Sequence, residues 1–320
     1  MMSIAIAILA ALILDRLLGE PRRWHPLVGF GRLALAIETR LNNRVNNPDH
    51  NPVHNNRPNA FALKFRGLVS LSLLILPATA ITAYITDRYN TYLIVEIGVL
   101  YLAIGARSLV EHAQRVATAL QSNRRDDARA FTRHLVSRDT TQMNESDMSR
   151  ATIESTLENG NDAIFAPLFW FAIGGAPAVV FYRLCNTLDA MWGYRTPRFV
   201  HFGWAAARLD DVLNYIPARL TALTYACLGQ FQTALHCWRT QAGKCKSPNG
   251  GPVMAAGAGA LALQLGGPAV YHGKWENCPR LGCGEPPLAN DIMQATRLIQ
   301  RGITLWAGIV LLFAGGLSLA

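Results

Sequence analysis

The sequence predicts an all-α fold, a polytopic integral membrane helical bundle of four to six spans with large helical loops. Three observations predict it. Of 320 residues, 51% are apolar and only 16% are charged, against roughly 25% charged in soluble domains. The apolar residues come in blocks rather than at the spacing of a half-buried helix or strand. Most of these blocks approach the roughly 20 residues that a helix needs to cross a hydrocarbon core. A bilayer leaves no water for the backbone, so the spans must be helical. A disordered polymer, a coiled coil and a disulfide scaffold are excluded by the same composition.

Taken in order, the charge-poor runs cover 1–14, 67–86, 92–110, 163–182, 220–238, 251–271 and 302–320. The first reaches span length only when extended through Leu18. No basic residue precedes it, which argues against a cleaved signal peptide. The run 251–271 is mostly Ala and Gly, a weak hydrophobe. The expectation is one membrane-embedded domain over 1–320, with spans near 1–18, 67–86, 92–110, 163–182, 220–238 and 302–320. Segments 19–65, 111–162 and 239–301 hold 21 Lys and Arg, whereas 87–91 and 183–217 hold 5. That asymmetry places the three basic loops in the cytoplasm. The net charge of +9 fits anionic lipid and anionic substrates, and calls for no nucleic acid. The six Cys and eight His follow no zinc spacing.

Three polar patches carry the candidate chemistry. The first holds Asp15 at the edge of the first span, Gly19-Glu20-Pro21 and Trp24-His25-Pro26. It reads either as a helix-end ion pair or as a membrane-edge acid facing a polar cavity. The Asn-, Pro- and His-rich stretch 42–59 beyond it reads as a loop. The second patch runs from Arg138 to Asp162. Asn144 and Asp147 are spaced as a helix start. Arg150, Glu154 and Glu158 fall four apart on one helical face. The two glutamates repel unless a cation intervenes; Arg150 answers part of that, and a divalent metal held by carboxylates and phosphate oxygens would answer the rest. Asn159-Gly160 is expected to end that helix.

The third patch, 183–219, contains Asn186, Asp189, Arg195, Arg208, Asp210, Asp211 and Asn214, among Trp192, Tyr194, Trp204 and Tyr215. Its aromatic density suits an interface belt and flat faces for a large planar ligand. A smaller feature, Ser247-Pro248-Asn249-Gly250-Gly251, demands a turn followed by a helix, where exposed amides could bind an anion. No P-loop or dinucleotide fingerprint is present.

These blocks resemble the cobalamin-biosynthesis adenosylcobinamide-phosphate synthase family. The resemblance rests on DRLLGEP (15–21), SRDT (137–140), RATIESTLENGND (150–162), APLFWFAIGGAP (166–177), YRLCNTLDAMWGYR (182–195), ARLDDVLNYIPARLTAL (207–223) and SPNGGPVMAAGAGALALQLGGPAVYHG (247–273). It spans nearly the whole chain in order.

What it implies is an amide-forming C–N ligase, dependent on ATP and Mg²⁺ and without a bound redox cofactor. The enzyme would join (R)-1-aminopropan-2-ol or its phosphate to a propionate of adenosylcobyric acid. The resemblance also implies the bacterial inner (plasma) membrane, an active site facing the cytoplasm, contact with membrane lipid and, as further partners, other late cobalamin-pathway enzymes.

Carried onto this chain, Glu154, Glu158, Asp162 and Asp139 are the catalytic acids, the first three also as Mg²⁺ ligands. Asp189, Asp210 and Asp211 form a second acidic set. Arg150, Arg195 and Arg208 would meet phosphate or carboxyl groups, Asn186 and Asn249 corrin amides, and Asp15 and His25 would line the mouth of the site. The alternatives are a non-catalytic membrane sensor of the same fold lineage, like the ampicillin-resistance transducer proteins, and a transporter or corrinoid-binding scaffold. For the second and third patches to share one face, 163–182 and 218–238 would enter the membrane without crossing it, the former broken at Pro167, Gly174-Gly175 and Pro177; the alternative is that the third patch lines a deep cavity from its own side.

Overall fold

The computed structural model describes residues 2–21, 25–42, 59–88, 92–136, 138–271 and 274–319. Trp24, Ser137 and most of the loop expected at 42–59 lie outside the described residues.

The helices are α1 (Met2–Leu18), α2 (Pro26–Leu41), α3 (Ala60–Arg88), α4 (Tyr92–Ala103), α5 (Ala106–Gln121), α6 (Arg125–Arg133) and α7 (Glu145–Gly160), followed by α8 (Ala166–Trp192), α9 (Trp204–Leu213), α10 (Tyr215–Leu228), α11 (Phe231–Gln241), α12 (Gly250–Ala260) and α13 (Ala289–Leu319). Strands β1 (Gln264–Tyr271) and β2 (Lys274–Gly282) form an antiparallel hairpin. The all-α class holds, with this hairpin as an addition that the sequence pattern did not announce.

Among the described residues, four helical stretches are long and apolar enough to cross a membrane: Ala60–Arg88, Tyr92–Gln121, Glu145–Trp192 and Ala289–Gly316. Their outer faces carry exposed large apolar residues, such as Leu73, Leu76 and Ile81 on α3 and Leu312 and Phe313 on α13. Such faces are at home in lipid. The run 220–238 is not one helix. Gly229 and Gln230 separate α10 from α11, and the Gln230 amide donates to the Ala260 carbonyl (3.0 Å).

The chain divides into two compact units. The first comprises 1–19, 104–166 and 214–320. Here α13 packs on α5, α7, α1 and α10, while α10, α11 and α12 pack together and the hairpin lies on α12 and α11. Its core includes Ile153, Leu157, Phe165, Tyr225, Ile292 and Ile299, all buried. Phe165 meets the Trp306 ring at 5.1 Å and the Tyr225 ring at 6.1 Å.

The second unit comprises 20–103 and 167–213. Helix α3 packs on α2, α4 and α9, and Trp192 meets Phe202 edge-on at 5.0 Å. Gly67 lets α3 approach the backbone of Phe202, where a Cβ would collide with the carbonyl. Helix α8 is kinked at Gly174 and Gly175, as its glycines and Pro177 suggest. Gly175 has φ +61°, and the freed Ala176 amide donates to the Glu96 carboxylate (3.3 Å).

Candidate functional site

The polar face of α7 organises the first unit. Asn144 and Asp147 form a reciprocal capping box, each side chain bonding the other's backbone N–H (2.9 and 3.3 Å). The helix does not stop at Gly160. It continues through one turn of π-helix at Asn161–Phe165. Gly160 serves packing instead: a Cβ there would strike the Tyr225 hydroxyl and Ile299. The π turn leaves the Ala163 carbonyl to accept from the Gly105 amide (3.1 Å). Such turns recur at functional sites because they displace a side chain from its helical position.

The side chain displaced here is Asn161, buried at the centre of a network. Its amide donates to Asp162 Oδ1 (2.8 Å) and Asn214 Oδ1 (2.9 Å), and its Oδ1 accepts from Thr221 (2.9 Å). One turn earlier, Tyr225 donates to the Leu157 carbonyl (3.0 Å).

Glu154 is 4% exposed. One oxygen pairs with the Arg138 guanidinium, and the other accepts from the Gly266 amide (2.6 Å). Gly266 has φ +72° and sits at an irregularity in the hairpin, where its backbone can reach Glu154. Arg138, not Arg150, is therefore the cation that answers Glu154. Arg150 bonds Asp147 (2.6 Å).

Glu158 is half-buried, and its carboxylate lies against Gly250 where only a hydrogen occupies the Cβ position. Gly250 belongs to the Ser247–Gly251 turn. That turn is not an open anion cradle. Ser247 Oγ accepts from the amides of Asn249 (3.3 Å) and Gly250 (2.9 Å), and its carbonyl accepts from Gly251 (3.3 Å). Asn249 Oδ1 accepts from Arg219 (2.7 Å), which also donates to the Pro248 carbonyl and stacks on Tyr215. Cys245 sits on the same side. Burial, with Glu158, Cys278 and Glu154 nearby, pushes its thiol up to about 11.

The other expected residues of this unit take structural places. Asp139 is exposed and accepts from the amide and hydroxyl of Thr141 (2.9 and 2.7 Å), which hold its carboxyl below the usual range. Asp15 is 2% exposed and accepts from the Arg107 amide at the start of α5 (2.9 Å). In return Arg107 donates to the Leu17 carbonyl at the end of α1 (2.8 Å). The two residues clamp opposite helix ends.

In the second unit, Arg183 donates to Asn186 (3.1 Å), which donates to Asp210 (3.1 Å). Asp189 feels the charges of Asp210 and Asp211. Arg208 meets Asp211 at 3.6 Å, as their spacing suggests. Burial raises the Asp211 carboxyl, against the lowering pull of Arg208 and Arg195. His25 caps α2 by accepting from the Leu27 amide (3.2 Å). The pattern missed Glu38, a fully buried carboxylate paired with Arg198 and bonded by Asn42 (2.8 Å). No local spacing links residues 160 apart.

Among the described residues, no group of three or more His, Cys, Asp and Glu comes together in a way that could hold a metal ion. Glu154 is spent on Arg138 and Gly266, and Asp162 accepts from Asn161. The expected set Glu154, Glu158 and Asp162 does not fit a resident metal.

The family model described as CobD/Cbib protein matches residues 8–299. A Chromobacterium violaceum protein named cobalamin biosynthesis protein CobD is 52% identical, covering 97% of this chain and 96% of its own. Its namesake in Stutzerimonas stutzeri is 50% identical over 99% of both chains. The Mycobacterium tuberculosis namesake is 37% identical, covering 95% of this chain and 94% of its own. No solved structure matches.

Proposed function

We propose a reaction from one premise: the chain belongs to the CobD/Cbib protein family, a family of cobalamin biosynthesis. It is a membrane enzyme of that biosynthesis. It joins (R)-1-aminopropan-2-ol or its phosphate, through an amide, to a propionate of adenosylcobyric acid. The product is adenosylcobinamide or its phosphate. ATP is the cosubstrate, and Mg²⁺ arrives on its phosphates rather than in a protein cage. The reaction runs at the bacterial inner membrane, on the cytoplasmic side.

The chemistry sets the requirements. A carboxylate is a poor acyl donor at neutral pH, so phosphoryl transfer from ATP first makes an acyl phosphate. The amine then attacks the carbonyl carbon, and phosphate leaves. A base must take the proton that the amine sheds, and cations must meet the phosphate and the developing oxyanion. Holding two substrates in register removes about 7–11 kcal/mol of barrier.

The observation that carries this reading is Glu158. It is a half-buried carboxylate where α7 meets the Ser247–Gly251 turn, beside a glycine that leaves it room. Glu158 is the proposed base. Glu154 is a positioning residue, since both its oxygens are engaged. Asp15 and His25 hold helix ends, so neither is assigned to substrate.

The direct test supplies purified membranes with adenosylcobyric acid, aminopropanol phosphate, ATP and Mg²⁺, and follows product by mass. The expected result is the amide, absent without ATP. No product with either amine, across pH and Mg²⁺ concentration, overturns the reading.

A further inference from the structure

The paired bonds of Gln241 to Gly282 and the ion pair of Lys246 with Glu276 tie α11 and the turn after it to β2. Gln241 bonds Gly282 in both directions, its amide donating to the carbonyl (3.0 Å) and its oxygen accepting from the N–H (2.6 Å). Lys246 pairs with Glu276. Between these, Cys245 lies close enough to Cys278 to feel its charge. Cys237 stands one helical turn before Gln241 and Cys283 one residue after Gly282, so the Gln241–Gly282 bonds set the two cysteines at neighbouring places on the facing segments. The partners run 237 to 283, 241 to 282, 245 to 278 and 246 to 276. They ascend on one side and descend on the other, as in a single antiparallel seam. The cysteine pair at its end is therefore placed by a register fixed by amide bonds and an ion pair.

We propose that Cys237 and Cys283 are a dithiol that closes to a disulfide, a modification site that clasps the end of β2 to α11. Cys283 is exposed and Cys237 buried, so exchange begins at Cys283. A small-molecule disulfide such as oxidised glutathione is the oxidant. Cys283 loses its proton to water, and its sulfur attacks one sulfur of that disulfide, expelling one thiolate. Cys237, also losing its proton, then displaces the second thiolate. Two protein thiols are oxidised, and one small disulfide is reduced to two thiols. Cys245 and Cys278 are both only partly exposed, so the second pair lacks an open thiol to start the exchange. The closed ring encloses the Ser247–Gly251 turn and Gly266. Oxidation therefore braces the segments that hold Glu158 and Glu154.

The full chain in detergent is treated with oxidised glutathione, digested without reductant and analysed by mass. The expected product is a peptide pair joined through Cys237 and Cys283. It is lost on reduction and absent in Cys283→Ser, which as an exposed change leaves folding intact. Two results overturn the proposal: a lasting glutathione adduct on Cys283 with no joined pair, or linkage through any other cysteines.

Discussion

Glu154 and Asp211 are both acids that the sequence singles out, and they sit in opposite surroundings. Glu154 is almost fully buried, with a guanidinium on one oxygen and a backbone amide on the other. Asp211 is partly open, meets Arg208 at 3.6 Å and is raised by burial. The first is held still, and the second keeps carboxylate neighbours within reach. An acid locked from both sides sets the position of other groups. Glu158, half-buried against the Gly250 turn, is the acid proposed to trade a proton.

The sharpest way to break that contrast is to remove each acid's arginine. Arg138→Leu leaves a buried carboxylate unpaired, and about 3–5 kcal/mol of stability should go, read from unfolding in detergent. Arg208→Leu, at an exposed pair, should cost about 1 kcal/mol or less. Equal losses would erase the distinction.

Gly250→Ala sharpens it from the other side. The new methyl meets the flexible end of Glu158, so stability should change by about 1 kcal/mol or less. Product formation should still fall about 10- to 100-fold, because the carboxylate is displaced. Unchanged turnover would remove Glu158 from the reacting centre.

Asp211 predicts a pH effect. Its folded-state carboxyl is raised, so the folded chain holds the proton more tightly than the unfolded one. Stability from this group is full below the ordinary aspartate range and is lost as pH rises through the raised value. Asp211→Asn should flatten that slope in unfolding measured across the acidic range. A steeper slope would contradict the assignment. The smallest effect is expected at Asp139→Asn. The amide oxygen still accepts from Thr141, and the change should stay within about 0.5 kcal/mol.

What the sequence showed clearly was local. The Asn144–Asp147 cap and the Arg208–Asp211 pair are three residues apart, so spacing reveals them. The kink of α8 follows from two glycines and a proline. The rest depended on distance or on ambiguous residues. Gly266 lies 112 positions from Glu154, and nothing local marks it as a partner. Arg138 stands across a turn from α7, and Arg150 was the nearer candidate by helical spacing. Gly160 reads as a helix stop, yet it is small because Tyr225 and Ile299 press on it. The hairpin escaped because an Ala- and Gly-rich run without alternation resembles a weak helix. Its turn toward Glu154 needs positive φ at Gly266 and Gly267.

In the proposed reaction Glu158 does the proton work while Glu154 positions. The measurement is product formation by Glu158→Gln alongside its unfolding midpoint. The expected result is a fall of about 10²–10⁴-fold with the midpoint unchanged. Wild-type turnover in that variant would contradict it.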